Sequence, residues 1–315
     1  MGDKAEIFVE IRRSLLERFI RECGKYEFLI ESKEFKIFSR QGGEVDEVLY
    51  KLPRQSPMQI LEKYRLNFKI VEEQENSEIT GYREKINVFN AFLSKSVVSM
   101  NADRKAIEAA RGSFAQSYEG QKKLYGALIT FEDTAVDYYA DGNLEERLLT
   151  HPGAGDMRTR VDETVGNFRN PYVETALWIK GELLDIQGMI DALKGHSLVL
   201  KRQIATEDKR RENQEELEKL SLGKKTFKSF FMSKEGREKD ILRLQGDIEQ
   251  ANVDIEDFRK LINFITVYLG ALAIDKFQKD KVEQYAKMLN LVGAREVANS
   301  YLQGMLAVEV LGLGQ

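Results

Sequence analysis

Proline is rare in this chain of 315 residues and occurs only at Pro53, Pro57, Pro152 and Pro171. Because proline removes a helix hydrogen-bond donor and clashes with the preceding turn, it interrupts helices. The stretches 58–151 and 172–315 can therefore be helical without interruption by proline. All-β folds, which need many turns, are disfavoured by the same feature.

Apolar residues alternate at spacings of three and four along three stretches, which is the seam pattern of a coiled coil. The first seam runs from Ile86 to Phe131 and includes Leu124 and Leu128, although four of its fourteen positions are polar. The second runs from Leu183 to Ile204, and the third from Ile241 to Leu272. Each seam predicts a long helix that packs against similar helices.

The predicted fold is all-α, an elongated bundle of three antiparallel coiled-coil helices. Pro171 is expected to open the second long helix, since proline is well tolerated in a first turn. Gly142, Pro152 and Gly153 indicate a loop or short helix before it. At 1.5 Å per residue, helices of about 50 to 70 residues would span roughly 75 to 105 Å. The predicted long helices lie at about 58–139, 171–221 and 234–291, with a short helix at 293–311.

The first part of the chain predicts a separate group of short helices. Ile11, Leu15 and Phe19 lie on one apolar stripe, and Ser32 can cap a second helix. Gly42 and Gly43 then interrupt the chain. This region is too short for a large core of its own.

Composition narrows the function classes further. No charge-free apolar run approaches the roughly 20 residues that a membrane-spanning helix needs, and the start lacks the layout of a signal peptide, so we expect a cytoplasmic protein. A single cysteine, Cys23, excludes a disulfide framework. Glu6 argues against myristoylation at Gly2, because Ser or Thr is favoured there. The net charge of −4 argues against a nucleic-acid partner.

Three segments carry a family likeness. NPYVETALWIKGELLDIQGMIDALKG at 170–195, TFKSFFMSKEGREKDILRLQGDIEQ at 226–250 and LINFITVYLGALAIDKFQKDKVEQYAKML at 261–289 resemble the BAR region of sorting nexins. IRRSLLERFIRECGKYEFLIESKEFKIFSR, near the N-terminus, is similar to the closing helices of a PX domain, the phosphoinositide-binding module that precedes BAR in that family. The resemblance divides the chain into a PX-like helical region at 1–70 and a BAR domain at 71–315.

The resemblance implies a dimeric crescent that binds anionic phospholipid and senses or imposes curvature on endosomal tubules, as a peripheral protein on the cytoplasmic side. The dimer would be a homodimer or a heterodimer with another BAR protein, with no cofactor. In the family, the PX strands and the basic residues that bind lipid phosphate would lie upstream of Met1. We therefore expect either a product without that half or part of a longer chain, and assign phosphoinositide recognition to no residue here.

Basic residues concentrate at the end of the second predicted helix and around the following hairpin, where they could bind an anionic leaflet. For 201–211, where acidic residues are interleaved, a solvated helix face is an equal alternative, whereas for the hairpin membrane contact is favoured. The candidate membrane-binding residues are Lys201, Arg202, Lys209, Arg210, Arg211, Lys219, Lys224, Lys225, Lys228, Lys234, Arg237 and Lys239.

Apolar side chains within the hairpin favour packing at the bundle tip over insertion into lipid. These are Phe227, Phe230, Phe231 and Met232. The segment 68–86 is predicted to be a linker or a bundle cap rather than a membrane helix, because anionic lipid would repel its acidic side chains. By the family resemblance Trp178, Tyr268 and Phe277 are candidate dimer-interface residues, with a place in the core of one protomer as the equal alternative.

Catalysis has little support in the sequence. His151 and His196 lack neighbours at metal-ligand spacing, and His196 is expected at the surface. The chain has no Gly-x-Ser-x-Gly elbow, P-loop or His-Glu-x-x-His motif, so we expect no enzyme. The rival to the membrane scaffold is a coiled-coil adaptor that binds protein partners, such as another sorting nexin, without touching lipid.

Overall fold

The protein is described by a computed structural model that covers residues 2–40, 42, 44–53, 55–70, 76–139, 149, 156–222 and 234–311. Within these ranges the chain forms helices and short connections and no β-strand, so the predicted all-α class is confirmed. Predictions that fall on the remaining residues, including His151, Pro152 and Phe227, lie outside the described part of the chain.

The N-terminal region consists of short helices whose starts are set by local capping. The Ser32 hydroxyl accepts a hydrogen bond from the Phe35 amide at 3.1 Å, as its predicted capping role requires. Ser56 and Gln59 form a capping box, and Pro57 occupies the first turn of its helix. The helices are α1 (Gly2–Gly24), α2 (Glu27–Ile30), α3 (Lys33–Arg40), α4 (Val45–Tyr50) and α5 (Pro57–Asn67).

The rest of the described chain is built from long helices, two of which contain a π-helical turn. As predicted, the second long helix starts beside Pro171, where the Tyr172 amide donates to Oδ1 of Asn170 at 3.0 Å. The elements are α6 (Asn76–Phe131), a π-turn (Glu132–Val136), α7 (Asp137–Tyr139), α8 (Met157–Asn167), α9 (Tyr172–Ser221), α10 (Lys234–Val267), a π-turn (Tyr268–Ala273) and α11 (Ile274–Leu311).

Two predicted helix bounds are wrong. The helix expected at 58–139 is two helices, because Phe68 is extended and its ring packs 4.6 Å from that of Tyr268. The break expected between 291 and 293 is absent, since α11 continues through Gly293 to Leu311. A helical glycine costs only about 1 kcal/mol, which the packing of Met288 and Leu306 on either side of it offsets.

The predicted seams hold for part of each helix and then drift. Leu124, Leu128 and Phe131 are exposed, whereas Ile129 is buried. A straight α-helix has 3.6 residues per turn, so its buried face moves away from a 3.5-residue seam by about 20° per heptad. Two further apolar seam positions are exposed. These are Ile204 in α9 and Leu272 in the second π-turn, whose extra residue shifts the phase of the helix.

The chain divides into two compact units, of which unit 1 comprises Met1–Ser94 and Gln187–Phe277. Helix α5 packs on α10 here. Leu61, Leu261 and Phe264 form a core cluster of this unit. Lys85 of α6 contacts both the second π-turn and the start of α11. Its Nζ donates to the Gly270 carbonyl at 2.7 Å and to Oδ1 of Asp275 at 2.6 Å.

Unit 2 comprises Lys95–Ile186 and Gln278–Gln315. Its hydrophobic cluster joins the end of α6 and helices α8 and α11 through Ile129, Val161 and Leu306. The carboxylate of Glu132 is buried beside this cluster, where both its oxygens accept from the Leu149 amide, at 2.8 and 2.7 Å. The predicted division at residue 70 follows a family likeness and stays a prediction.

Candidate functional site

One face of α9 presents basic and apolar side chains to solvent. Lys201, Arg202 and Lys209 are exposed, and Leu198, with 59% of its surface accessible, and Ala205 lie among them. Spacings of three, four and seven place these residues on one side of the helix. No ion pair in the described part of the chain involves the three cations. We call these five residues the α9 basic strip.

Three other predicted cations are paired with carboxylates on their own helix. Arg211 lies 2.8 Å from Asp208, whereas Lys219 and Lys239 lie 3.8 and 3.9 Å from carboxylates one turn away. Such exposed pairs contribute little to stability. They do reduce the positive charge that these cations offer to a membrane.

Arg210 and Arg237 are half-buried and connect α9 with α10. Nη1 of Arg210 donates to Oδ1 of Asn252 at 2.9 Å, and Nη2 of Arg237 donates to the carbonyl of Leu220. A carbonyl in the last turn of a helix lacks an intrahelical partner, so the Arg237 bond supplies one. The side chains predicted to face lipid at these two positions therefore stabilise helix pairing.

The hairpin lies outside the described residues. This applies to Lys224, Lys225 and Lys228, and to the side chain of Lys234. The apolar group that includes Phe230 and Met232 lies there too. The membrane role predicted for these residues stays a prediction.

The three predicted interface residues all have ring contacts within the chain. In unit 1, Tyr268 packs on Phe68, and Phe277 lies 5.9 Å from Phe89 in an edge-to-face arrangement. In unit 2, the Trp178 ring lies 6.0 Å from that of Tyr285. These three aromatic side chains therefore take part in packing within the chain. Their role in dimerisation stays a prediction.

Helix α11 in unit 2 carries a stripe of exposed apolar side chains that the sequence pattern was not used to predict. Val282, Tyr285 and Leu289 follow the three-four spacing of a seam, yet each is about half exposed or more. Nε1 of Trp178, beside Tyr285, is buried and has no hydrogen-bond partner among the described residues. The spacing alone could have revealed this stripe, which we call the α11 apolar stripe.

His196 is buried, so its predicted surface position is wrong. Its Nε2 lies 2.9 Å from Oγ1 of Thr266, and that hydroxyl donates its proton to the Ile262 carbonyl at 2.8 Å. The hydroxyl oxygen must therefore accept from Nε2–H, which fixes the neutral tautomer. Burial, with a smaller effect of Arg83, lowers the pKa of His196 from its ordinary value.

The described residues contain no group of three or more His, Cys, Asp or Glu side chains arranged to hold a metal ion. None of their helices has a stretch that is both long and apolar enough to cross a lipid bilayer. The described side chains thus supply charged and apolar surfaces rather than a cluster of metal-ligating groups.

Comparison of the chain with models of protein families, with curated proteins and with solved structures found no match. The likeness to sorting nexins therefore rests on the sequence segments quoted above.

Proposed function

We propose that this protein is a membrane-curvature scaffold of the sorting-nexin type, a dimeric BAR-like module that binds anionic phospholipid in endosomal tubulation and protein sorting. A scaffold of this kind gains contact energy where the curvature of the membrane matches its own surface. The proposal rests on the family resemblance and on the α9 basic strip.

The α9 basic strip has the chemistry that an anionic leaflet attracts. Lys201, Arg202 and Lys209 point to solvent without a paired carboxylate in the described chain. The exposed Leu198 between them adds an apolar contact that can enter the headgroup region. Each cation near an anionic surface contributes about 1 kcal/mol, so loss of all three positive charges is expected to weaken binding on the order of 100-fold, and reversal to Glu more than that.

The α11 apolar stripe supports the dimer. A seam of Val282, Tyr285 and Leu289 that is exposed in one protomer gains free energy when a second copy covers it. Sedimentation velocity of the purified chain tests this association.

The membrane proposal is tested by co-sedimentation with phosphatidylserine-containing vesicles of different diameters and at different salt concentrations. We expect binding at low salt, loss at high salt and tighter binding to small vesicles. The combined variant Lys201→Glu, Arg202→Glu and Lys209→Glu should lose binding. Reversal of Lys224, Lys225 and Lys228 tests the predicted hairpin contact in the same assay.

A matched control reverses the same number of charges in unit 2. Lys123, Lys279 and Lys287 are exposed, and no ion pair in the described chain involves them. Their replacement by Glu changes the net charge by the same amount. Because these lysines lie outside the α9 basic strip, the replacement should reduce binding much less. Absence of low-salt binding by the unaltered protein, or an equal loss in both triple variants, would refute specific lipid contact by α9.

The adaptor function is the second candidate, and the paired cations favour it. Arg211, Lys219 and Lys239 have carboxylate neighbours, while Arg210 and Arg237 are used between helices. If vesicles do not bind, the α11 apolar stripe is the surface to test against a second coiled-coil protein.

A further inference from the structure

Unit 1 contains a cavity of about 640 Å³ among helices α2, α5, α9 and α10. The cavity is partly open to solvent, so a ligand could enter it from the surface of unit 1. Small-molecule sites have volumes of about 300 to 1,000 Å³, so this cavity has the size of a ligand site rather than of a packing defect.

The walls of the cavity are largely apolar and aromatic. Phe28, Phe68 and Phe264 line it, together with aliphatic residues such as Ile60 and Val199. The rings of Phe28 and Phe68 are 5.5 Å apart and nearly perpendicular. Walls of this kind bury the apolar part of a ligand, which gains free energy when its surface leaves water.

Tyrosine hydroxyls and an ammonium group add polar chemistry to this site. Tyr26, Tyr64 and Tyr268 line the cavity, and Nζ of Lys276 lies 3.5 Å from the Tyr26 hydroxyl. Burial raises the pKa of Tyr64 and, with a smaller effect of the neighbouring Tyr26, that of Tyr268, while Lys276 opposes the increase at Tyr268. The phenols of Tyr64 and Tyr268 therefore stay protonated at neutral pH and can donate hydrogen bonds to an anion.

We propose that this cavity binds a long-chain fatty acid. The apolar walls would hold the alkyl chain, and the tyrosine hydroxyls with Lys276 would hold the carboxylate. A carboxylate accepts charge-assisted hydrogen bonds from such donors, which are stronger than bonds between neutral groups. The site does not depend on the proposed membrane function, because it lies within unit 1 and can be occupied in free solution.

The first experiment titrates the purified, delipidated full-length chain with dansyl-undecanoic acid, whose fluorescence rises when its chain leaves water. We expect saturable binding at one probe per chain and displacement by hexadecanoic acid. Probe fluorescence that rises without saturation would overturn the proposal, because it would indicate general adsorption to exposed apolar side chains.

Two glycines in α9 provide a matched pair of variants. Gly195 lines the cavity and Gly188 does not, and a Cβ added at either position meets no atom within 4 Å. The Cβ of Gly195→Leu therefore meets no obstacle, and we expect the longer side chain to fill part of the cavity and to weaken probe binding at least tenfold. Gly188→Leu should bind as the unaltered chain does, and equal affinity of both variants would overturn the assignment.

The charged end is tested with Lys276→Met, which keeps most of the side-chain volume. With the variant's own probe affinity taken into account, this variant should lower the affinity for hexadecanoic acid several-fold and leave the affinity for hexadecan-1-ol unchanged. Tyr64→Phe keeps the ring and removes one donor, so it should have the same sign of effect. Equal effects on the acid and the alcohol would overturn recognition of the carboxylate.

Discussion

Unit 1 and unit 2 bury different kinds of side chain between their helices. In unit 1 the cluster of Leu61, Leu261 and Phe264 is apolar and almost fully buried. In unit 2, Nζ of Lys281 lies 2.9 Å from the carboxylate of Glu182, which is only 5% exposed, and also bonds Asp185. One region depends on apolar burial and the other adds buried charge.

Further polar contacts extend this difference. In unit 2, Arg295 bonds Glu174, and the buried Asn299 exchanges hydrogen bonds of 3.0 and 2.8 Å with the Arg169 backbone. Apolar burial is non-directional, whereas a buried ion pair is costly to break and demands one geometry. Apolar burial in unit 1 therefore stabilises the close packing of its helices. The polar bonds in unit 2 also specify the register in which the helices of that unit pack.

The largest effect is expected from Lys281→Met in unit 2. It leaves Glu182 and Asp185 without their shared cation, and breaking a buried pair costs about 3–5 kcal/mol. Urea unfolding followed by circular dichroism measures the loss, and hydrogen exchange of peptides from 278–311 localises it. The exposed Lys279→Met is the control and should change nothing.

A double variant shows whether the loss comes from uncompensated charge. Lys281→Met combined with Glu182→Met also removes the more deeply buried of the two carboxylates and leaves only the more exposed Asp185 without its cation. An apolar pair of similar volume can replace an ion pair at little cost. The double variant should therefore be more stable than Lys281→Met alone. A double variant less stable than the single one would contradict the charge explanation.

In unit 1, Leu61→Ala is expected to cost about 3 kcal/mol, because it removes a buried side chain and leaves a cavity. The loss should be nearly the same in low and high salt, unlike an electrostatic effect. Leu66 lies on the same helix with 86% of its surface exposed, so Leu66→Ala is the matched control. Equal losses of unfolding free energy for both substitutions would disprove the assigned core.

Gly270→Ala tests the close approach of α6 to the second π-turn in unit 1. A Cβ at Gly270 would lie 2.5 Å from Cβ of Tyr82, so the backbone must shift. Such overpacking costs about 1–3 kcal/mol. Gly246 has open space around it, and Gly246→Ala should instead stabilise α10 by up to about 1 kcal/mol. Unfolding free energies that change in the same direction would contradict this difference.

Local sequence signals predicted the helices well and their packing less well. Proline at positions 57 and 171 and the cap at Ser56 fix helix starts through neighbouring residues alone, so such starts can be predicted. Leu128 and Ile129 both fit an apolar pattern, and only the true helical period decides which is buried. The π-turns, which shift that period, had no signal that we recognised.

At the candidate site, too, exposure could be predicted from the sequence better than packing between helices. Exposure of Lys201 and Arg202 agrees with a charged helix face, but the bonds of Arg210 and Arg237 depend on which helix lies opposite. Pairing of that kind joins residues distant in sequence, so composition does not reveal it. The burial of His196 beside Thr266 has the same origin.

The smallest effect concerns the buried polar pair of unit 1. The pKa of His196 is lowered from 6.5 by burial and by Arg83, so the unfolded chain takes up the proton first as the pH falls. The contribution of His196 to the free energy of unfolding is therefore fully present above about pH 6.5 and is lost progressively as the pH falls toward the lowered pKa. Urea unfolding between pH 7.5 and 5 should show this loss.

His196→Gln isolates the contribution of this side chain, because glutamine can still donate to Thr266 but does not titrate. The variant should lose less stability than the unaltered chain between pH 7.5 and 5, and His151 cancels since both proteins keep it. Arg83→Gln should reduce the pH dependence in part, because it removes the smaller cause of the lowered pKa. Parallel stability curves for His196→Gln and the unaltered chain would show that the neutral imidazole does not contribute to the pH dependence of unit 1.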